Sequence, residues 1–394
     1  MPNNWKIYKV GEFAKLRKEG IKPSDFNGEK YIGLEHIGQG NFLLDGIGDA
    51  SDVTSNKSKF VKGDILYGKI RPYFKKVYRP KFSGICSTDM LVINSSNEKI
   101  VTQNYLHQII KNQEFTDKAT ETSTGTKMPR ADWNSLKLWE LNLPPLPEQK
   151  AIANILSAID DKIENNLAIN KTLEDMAMAL YKHWFVDFGP FQDGEFIDSE
   201  LGLIPKGWEV KRLDEISSMS AGGDKPKNFS KERADGLEIP IYSNGISNEG
   251  LYGFTDNARI FEESVTVSAR GTIGYVCLRM QPYLPIVRLI SLVPKKEYVS
   301  SKFLFLCLQN ENIQGNGTTQ QQLTVPDFKE TKIITPNIDI IKDFNGIMDI
   351  AYNNIVSNKE ENQSLTKLRD TLLSKLISGE VRLKEFREKV EQVL

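Results

Sequence analysis

Residues 143–188 read LPPLPEQKAIANILSAIDDKIENNLAINKTLEDMAMALYKHWFVDF. Pro144, Pro145 and Pro147 punctuate the start, because proline fixes φ and stops a helix running through from upstream. After them Ile152, Ile155, Leu156, Ile159, Ile163 and Leu167 recur every three or four residues, and Leu173, Met176, Leu180 and Trp184 continue the series. Lys, Asp, Glu and Asn fill the other positions, which predicts one amphipathic helix with a single apolar stripe. From Glu148 to Phe185 such a helix would run roughly 55 Å at ~1.5 Å per residue. An apolar stripe of that length calls for a partner helix.

The chain supplies the partner 192 residues later. Gly125-Thr126 is matched by Gly317-Thr318, Leu136-Lys137 by Phe328-Lys329, and Pro144 by Pro336. Ile152, Ile155, Leu156 and Ile163 become Phe344, Ile347, Met348 and Ile355, while Leu173 and Leu180 become Leu365 and Leu372. Asn166 and Asn170 become Asn358 and Asn362, polar positions inside an otherwise apolar seam. The start repeats at an offset of 203, where Trp5-Lys6-Ile7 and Val10 match Trp208-Glu209-Val210 and Leu213. Any two long amphipathic helices share a spacing of three and four, so the repeat rests on the matching Pro, Asn and Gly-Thr positions. The expected fold class is α+β: two mixed α/β domains and two long helices that zip antiparallel, coiled-coil-like, as a pseudo-two-fold dumbbell. An antiparallel pair leaves one domain at each end, and the Asn pairs would fix register at some cost in stability.

The expected organisation is a first domain over 1–143, a first long helix over 144–188 and a linker over 189–206. A second domain follows over 207–335, then a second long helix over 336–379 and a charged tail over 380–394. In the first domain strands are expected at 30–37, after a turn within 62–71, at 73–78 and at 84–93, and helices at 104–111 and 115–120. In the second, strands are expected at 239–242, 264–269, 274–278 and 287–293, with a helix at 301–309. Residues 122–130 and 315–322 are hydroxyl- and amide-rich loops.

The chain has 394 residues, a net charge of −1, 39% hydrophobic and 26% charged residues, values ordinary for a soluble protein. Any basic face must therefore be local. Cys86, Cys277 and Cys307 are few and widely spaced, suggesting a reducing compartment without a disulfide framework or zinc site. The start has no apolar signal region and no run of eighteen apolar residues occurs, so a cytoplasmic protein is expected. Catalytic motifs do not emerge. There is no G-x-x-x-x-G-K-[ST], no G-x-G-x-x-G and no G-x-S-x-G. His36, His107 and His183 lack metal-ligand spacing, and Asp327 with Glu330 and Lys332 is too compressed for a PD…ExK nuclease. No catalytic, cofactor-binding or metal-binding residue is expected, and a binding protein is favoured.

Two like domains held apart by a rod describe a ruler, and duplex DNA offers equivalent surfaces about one turn apart, ~34–36 Å. In the first domain Lys69, Arg71, Lys75, Lys76 and Arg79 flank Tyr73, Phe74 and Tyr78, and Lys127 and Arg130 follow a Ser/Thr run. In the second, Lys225, Lys227, Lys231 and Arg233 follow Gly222-Gly223, Arg270 precedes Gly271, and Gln320, Gln321 and Gln322 form a run. Arginine reads guanine edges and glutamine adenine edges, so these residues are the candidate DNA contacts. A solvated face is the ordinary explanation of one charge cluster. The reading rests on two clusters in a duplicated frame. The competing reading is a coiled-coil scaffold bridging two proteins through peptide-binding end domains, and a catalytic subunit with an unrecognised site is a third.

The pattern resembles the DNA specificity subunits of type I restriction-modification systems. LPPLPEQKAIANIL, from Leu143 to Leu156, is similar to that family's first central helix. Pro205-Lys206-Gly207-Trp208 with Lys211-Arg212-Leu213 resembles the start of its second recognition domain. Leu373-Ser374-Lys375-Leu376-Ile377-Ser378-Gly379 resembles the end of its second helix. The resemblance implies that each domain is a target recognition domain reading one half of a split site. It implies that the helices set the spacer and dock two methyltransferase subunits. S-adenosylmethionine, ATP and magnesium would belong to those and to motor-nuclease subunits, and none to this chain. One departure is visible: Thr335-Pro336-Asn337-Ile338-Asp339 lacks the Pro-x-x-Glu-Gln run of the first helix.

Overall fold

The structure is a computed structural model and describes residues 4–125, 127–315 and 322–383. Two compact units emerge, one of residues 1–168 and 358–394, the other of residues 169–357. Each unit thus contains one domain and a stretch of both long helices.

The first long helix spans Leu146–Phe185 and the second Ile338–Ser378, 40 and 41 residues. The second ends at Gly379, which takes φ +73° just past Ser378, the left-handed conformation glycine adopts most easily at a helix end. A Cβ there would also meet the Trp5 ring at 3.0 Å. In the first unit Asp160 faces Arg369 and Asn166 faces Asn362, so the helices run antiparallel there. In the second unit Trp184 packs on Phe344 and Asn170 Nδ2 donates to the Ile355 carbonyl, giving the same sense.

The stripe differs in detail from the sequence expectation. Ile152, Leu156, Ile159, Ile163, Phe344, Met348, Ile355 and Leu372 are buried, and Ile155, Leu173, Leu180 and Leu365 pack at the margin. Ile347, Leu167 and Met176 are exposed instead. The buried line turns from Ile163 to Asn166 and Asn170, then to Ala177, Tyr181 and Phe185, because each helix also packs against its domain as well as its partner helix. Ile152, Leu156 and Leu376 share one core with Val101, Tyr105 and Ile109 of the first domain. Phe185 and Phe344 share another with Trp208 and Phe303 of the second.

The domains repeat a topology. A four-stranded antiparallel sheet has the order Ala14–Leu16, Met90–Ser95, Ile65–Gly68, Val77–Tyr78 in the first. In the second the order is Ser217–Ala221, Ile290–Pro294, Ser264–Val267, Val276–Arg279. Lys6–Lys9 pairs with Glu140–Leu143, and Glu209–Arg212 with Lys332–Thr335, so in each unit the first strand closes on the last before the helix. A second sheet has five strands in the first domain and three in the second.

Several local expectations change. Pro72–Phe74 is a 3-10 turn, and only Val77–Tyr78 of 73–78 is strand. Residues 84–93 split between two sheets. The linker carries an antiparallel hairpin, Phe196–Ser199 with Gly202–Pro205, whose turn includes Gly202 at φ +102°.

The unequal starts of the two helices have a packing cause. Gln149 is 1% exposed, accepts from Thr102 N at 3.1 Å and donates to the carbonyls of Ile100 and Pro144 at 2.7 and 2.9 Å. One buried amide thereby satisfies three backbone groups. At the matching place the second unit has buried Ile341, which needs no such partners.

Candidate nucleic-acid interface

In each unit a central strand of the four-stranded sheet runs out into an arginine. Strand Ile65–Gly68 leads to Arg71, and strand Ser264–Val267 leads to Arg270. The sheet order makes the two strands equivalent, and register places Arg270 one position nearer the strand end than Arg71. The loop after the domain helices returns to the same strand end in both. Ala131 N donates to the Lys69 carbonyl at 2.9 Å, and Leu323 N to the Ala269 carbonyl at 3.0 Å. Arg71 N donates to the Pro129 carbonyl at 2.7 Å, and Arg270 Nη2 donates to Gln322 Oε1 at 2.9 Å.

Around Arg71 the backbone is strained. Arg71 and Lys75 have φ of 48° and 52°, a region that costs a non-glycine residue energy and clusters at functional turns. Tyr73 is half exposed and its ring meets Phe74 at 4.8 Å, while the Arg71 guanidinium lies 6.0 Å from the Phe74 ring. Thr124 and Arg130 exchange backbone hydrogen bonds of 3.0 and 2.9 Å, closing a hairpin that presents exposed Lys127 and Met128. Asp89 draws in both Lys69, at 3.8 Å, and Arg130, at 3.6 Å.

The other three basic residues of this cluster turn inward. Lys75 Nζ donates to Gln113 Oε1 at 3.2 Å and sits 5.4 Å from the Phe42 ring. Lys76 Nζ donates to the Leu34 carbonyl at 2.6 Å. Burial pushes the Lys75, Lys76 and Arg79 cations below their ordinary values. These three are half-buried, as Arg71 is, while Lys127 and Arg130 are the exposed cations of the set.

In the second domain the glycine-following cluster is built differently from the first. Lys225 stacks 3.9 Å from the Phe229 ring, Lys231 3.7 Å from Tyr252, and Arg233 5.9 Å from Phe254, with Lys227 exposed nearby. These residues follow strand Ser217–Ala221, the equivalent of Ala14–Leu16, so they are not the counterparts of Lys69–Arg79. The arginine at the equivalent strand end is Arg270. Gln320 and Gln321 lie outside the described residues.

Arg288 adds an exposed cation near the Arg270 strand. It takes φ 65° beside Val287 at 52°, and both are exposed. Val287 N donates to Gly223 O at 2.8 Å, and Asn244 bridges this turn to the Arg270 strand by donating to Val287 O and accepting from Ala269 N. Gly222 admits no side chain, since a Cβ would lie 2.8 Å from Ile286 backbone atoms. A β-branched residue at positive φ leaves no local sequence signal; only the doubled glycine hints at the close approach.

Guanidinium groups beside rigid strand ends, with aromatic and amide neighbours, suit base edges and phosphates. Among the described residues no three His, Cys, Asp or Glu side chains gather as metal ligands, and no helix is long and apolar enough to cross a membrane.

The chain resembles known proteins over most of its length. The chain is similar to the HindI type I restriction enzyme specificity subunit of Haemophilus influenzae, 26% identical across 96% of this chain and all of that one. It is 29% identical to the MjaIX specificity subunit of Methanocaldococcus jannaschii, across 73% of this chain and 71% of that one. The crystal structure of a type I restriction-modification S subunit from M. genitalium has the same fold, with a TM-score of 0.62, 17% identity and coverage of 96% and 97%. Residues 2–175 and 205–367 each match the type I restriction modification DNA specificity domain, one match per copy of the repeat, and the chain belongs to that family.

Proposed function

We propose that this chain is the sequence-specific, non-catalytic DNA-recognition subunit of a type I restriction-modification enzyme. Each domain reads one half of a bipartite site in double-stranded DNA. The two long helices set the unread spacer and dock two methyltransferase subunits, which restriction subunits join. S-adenosylmethionine, ATP and magnesium belong to those partner subunits and not to this chain. The observation that carries the reading is the duplicated strand end: Arg71 and Arg270 leave equivalent strands, each gripped by the returning loop.

Mapping methylated adenines tests it. The chain is expressed with its methyltransferase as wild type, Arg71→Ala and Arg270→Ala. A lost bidentate arginine–guanine contact removes about 1–3 kcal/mol of discrimination, so each variant relaxes one position in one half-site. The two variants affect different halves. Relaxation of the same half by both, or of neither, refutes the assignment. Equal binding to random and cognate duplexes would favour a protein-bridging scaffold.

A further inference from the structure

A buried charge network in the first unit joins the second long helix to the Arg71 turn. Arg369 is 2% exposed, with Nη1 3.5 Å from Asp160 Oδ1 and donating to the Asn41 carbonyl at 3.3 Å. Its Nε donates to Asp370 Oδ1 at 2.9 Å, and its guanidinium lies 4.7 Å from the Phe42 ring. The same ring meets Lys111 Nζ at 4.6 Å and Lys75 Nζ at 5.4 Å. Lys111 is fully buried and pairs with Asp160 at 2.5 Å. One aromatic ring thus gathers three cations, and each such contact strengthens when desolvated.

This network reaches the reading turn through backbone as well as side chain. Gly40 N donates to the Lys75 carbonyl at 3.3 Å, Lys75 N to the Pro72 carbonyl at 2.8 Å, and Phe74 N to the Arg71 carbonyl at 2.9 Å. Phe42, Arg71 and Lys75 all sit at positive φ, 63°, 48° and 52°. Such backbone persists where its surroundings over-determine it.

The fold by itself does not require these charges. At the 192-residue offset the second unit places Ala177 where the first has Arg369, and Tyr352 where it has Asp160. Both are buried, and Tyr352 packs against Phe305 with ring centroids 5.9 Å apart. At these two positions the same helix–helix frame closes with uncharged side chains, while the second unit's buried lysine, Lys302, pairs elsewhere with Glu263 and Asp349. Replacing buried ion pairs by apolar groups is often neutral or stabilising, so packing alone does not explain the charged version.

We propose that Arg369 is a positioning residue for DNA reading by the first domain: through Asn41, Phe42 and Lys75 it fixes the turn that carries Arg71. The inference rests on the recognition role proposed above. Arg369→Met leaves Lys111 paired with Asp160, so no buried carboxylate is stranded. The test uses the full chain in complex with its methyltransferase, and duplexes with single base-pair changes in either half-site. Discrimination in the half relaxed by Arg71→Ala falls about tenfold in Arg369→Met, and discrimination in the other half stays within about twofold. Arg369→Lys, which keeps a cation over Phe42, retains most of it. Phe42→Leu, a change off the helix, reproduces the half-restricted loss. Adding Arg369→Met to Arg71→Ala causes no further loss, since the two act in one chain of contacts. Equal loss in both halves, or unaltered discrimination with only a lower thermal midpoint, overturns the proposal. A wild-type complex that reads no split site overturns the recognition role itself; a wild type that reads one while Arg369→Met reads it equally well overturns only this inference.

Discussion

Phe185→Ala tests whether the first long helix is part of the second domain's core. Phe185 is 4% exposed at the last turn of that helix. Its ring lies 4.9 Å from Phe344 of the second helix, and 5.0 and 5.8 Å from Phe303 and Trp208 of the domain. Truncating a buried phenylalanine costs about 3–5 kcal/mol through lost transfer energy and the cavity left behind. Each edge-to-face pair carries about 0.5–1.5 kcal/mol beyond area, partly counted already in that range. The expected destabilisation of the second unit is therefore about 4 kcal/mol. Urea unfolding followed by tryptophan fluorescence reads it, because Trp208 is 3% exposed in the same cluster. Native-state hydrogen exchange assigns it, with protection lost in residues 169–357 and kept in the sheet around Ile65–Gly68. In the complex, discrimination weakens in the half-site assigned to Arg270. A loss below about 2 kcal/mol, or equal loss of protection in both units, would refute the view that each helix stretch is core to its own unit.

Other outcomes follow from named contacts. Ile347→Asp changes stability by about 0.5 kcal/mol or less because Ile347 is exposed, whereas Met348→Ala costs about 2–5 kcal/mol; a large loss at Ile347 would restore the sequence-derived seam. Asn166 and Lys162 hold the Glu361 carboxyl below its ordinary range, so this contact stabilises above the ordinary glutamate range and is lost as pH falls through the depressed value. Asn166→Leu raises the Glu361 titration midpoint toward ordinary, read by carbon-13 NMR, and an unmoved midpoint would contradict the 2.7 Å hydrogen bond. All three cysteines are buried, and burial pushes the Cys86 and Cys307 thiols up to about 12. Native protein at pH 8 should react with no equivalent of a thiol-specific chromogen and with three after unfolding; prompt native reaction would refute their burial.

Much of the architecture is legible in the sequence, for local reasons. Prolines 144, 145 and 147 mark one helix start and Gly379 the other helix's end, because their effects act on φ at their own positions. The repeat at offsets 203 and 192 appears as strand Lys6–Lys9 closing on Glu140–Leu143 and Glu209–Arg212 on Lys332–Thr335. Asn166 does meet Asn362, at 2.9 Å. Direction of side chains was not readable. Spacing alone admits Leu167 and Ile347 to the apolar stripe, and only the packing of domain against helix turns them outward. Charge alone offers Lys75, Lys76 and Arg79 to a ligand, yet the carbonyl of Leu34, the ring of Phe42 and burial take them inward. Arg369 reads as surface, and its partner Asn41 is 328 residues away. What the chain determines locally is where elements begin, end and repeat. What only the tertiary structure decides is which face each residue joins, because that depends on desolvation by groups brought together from distant positions.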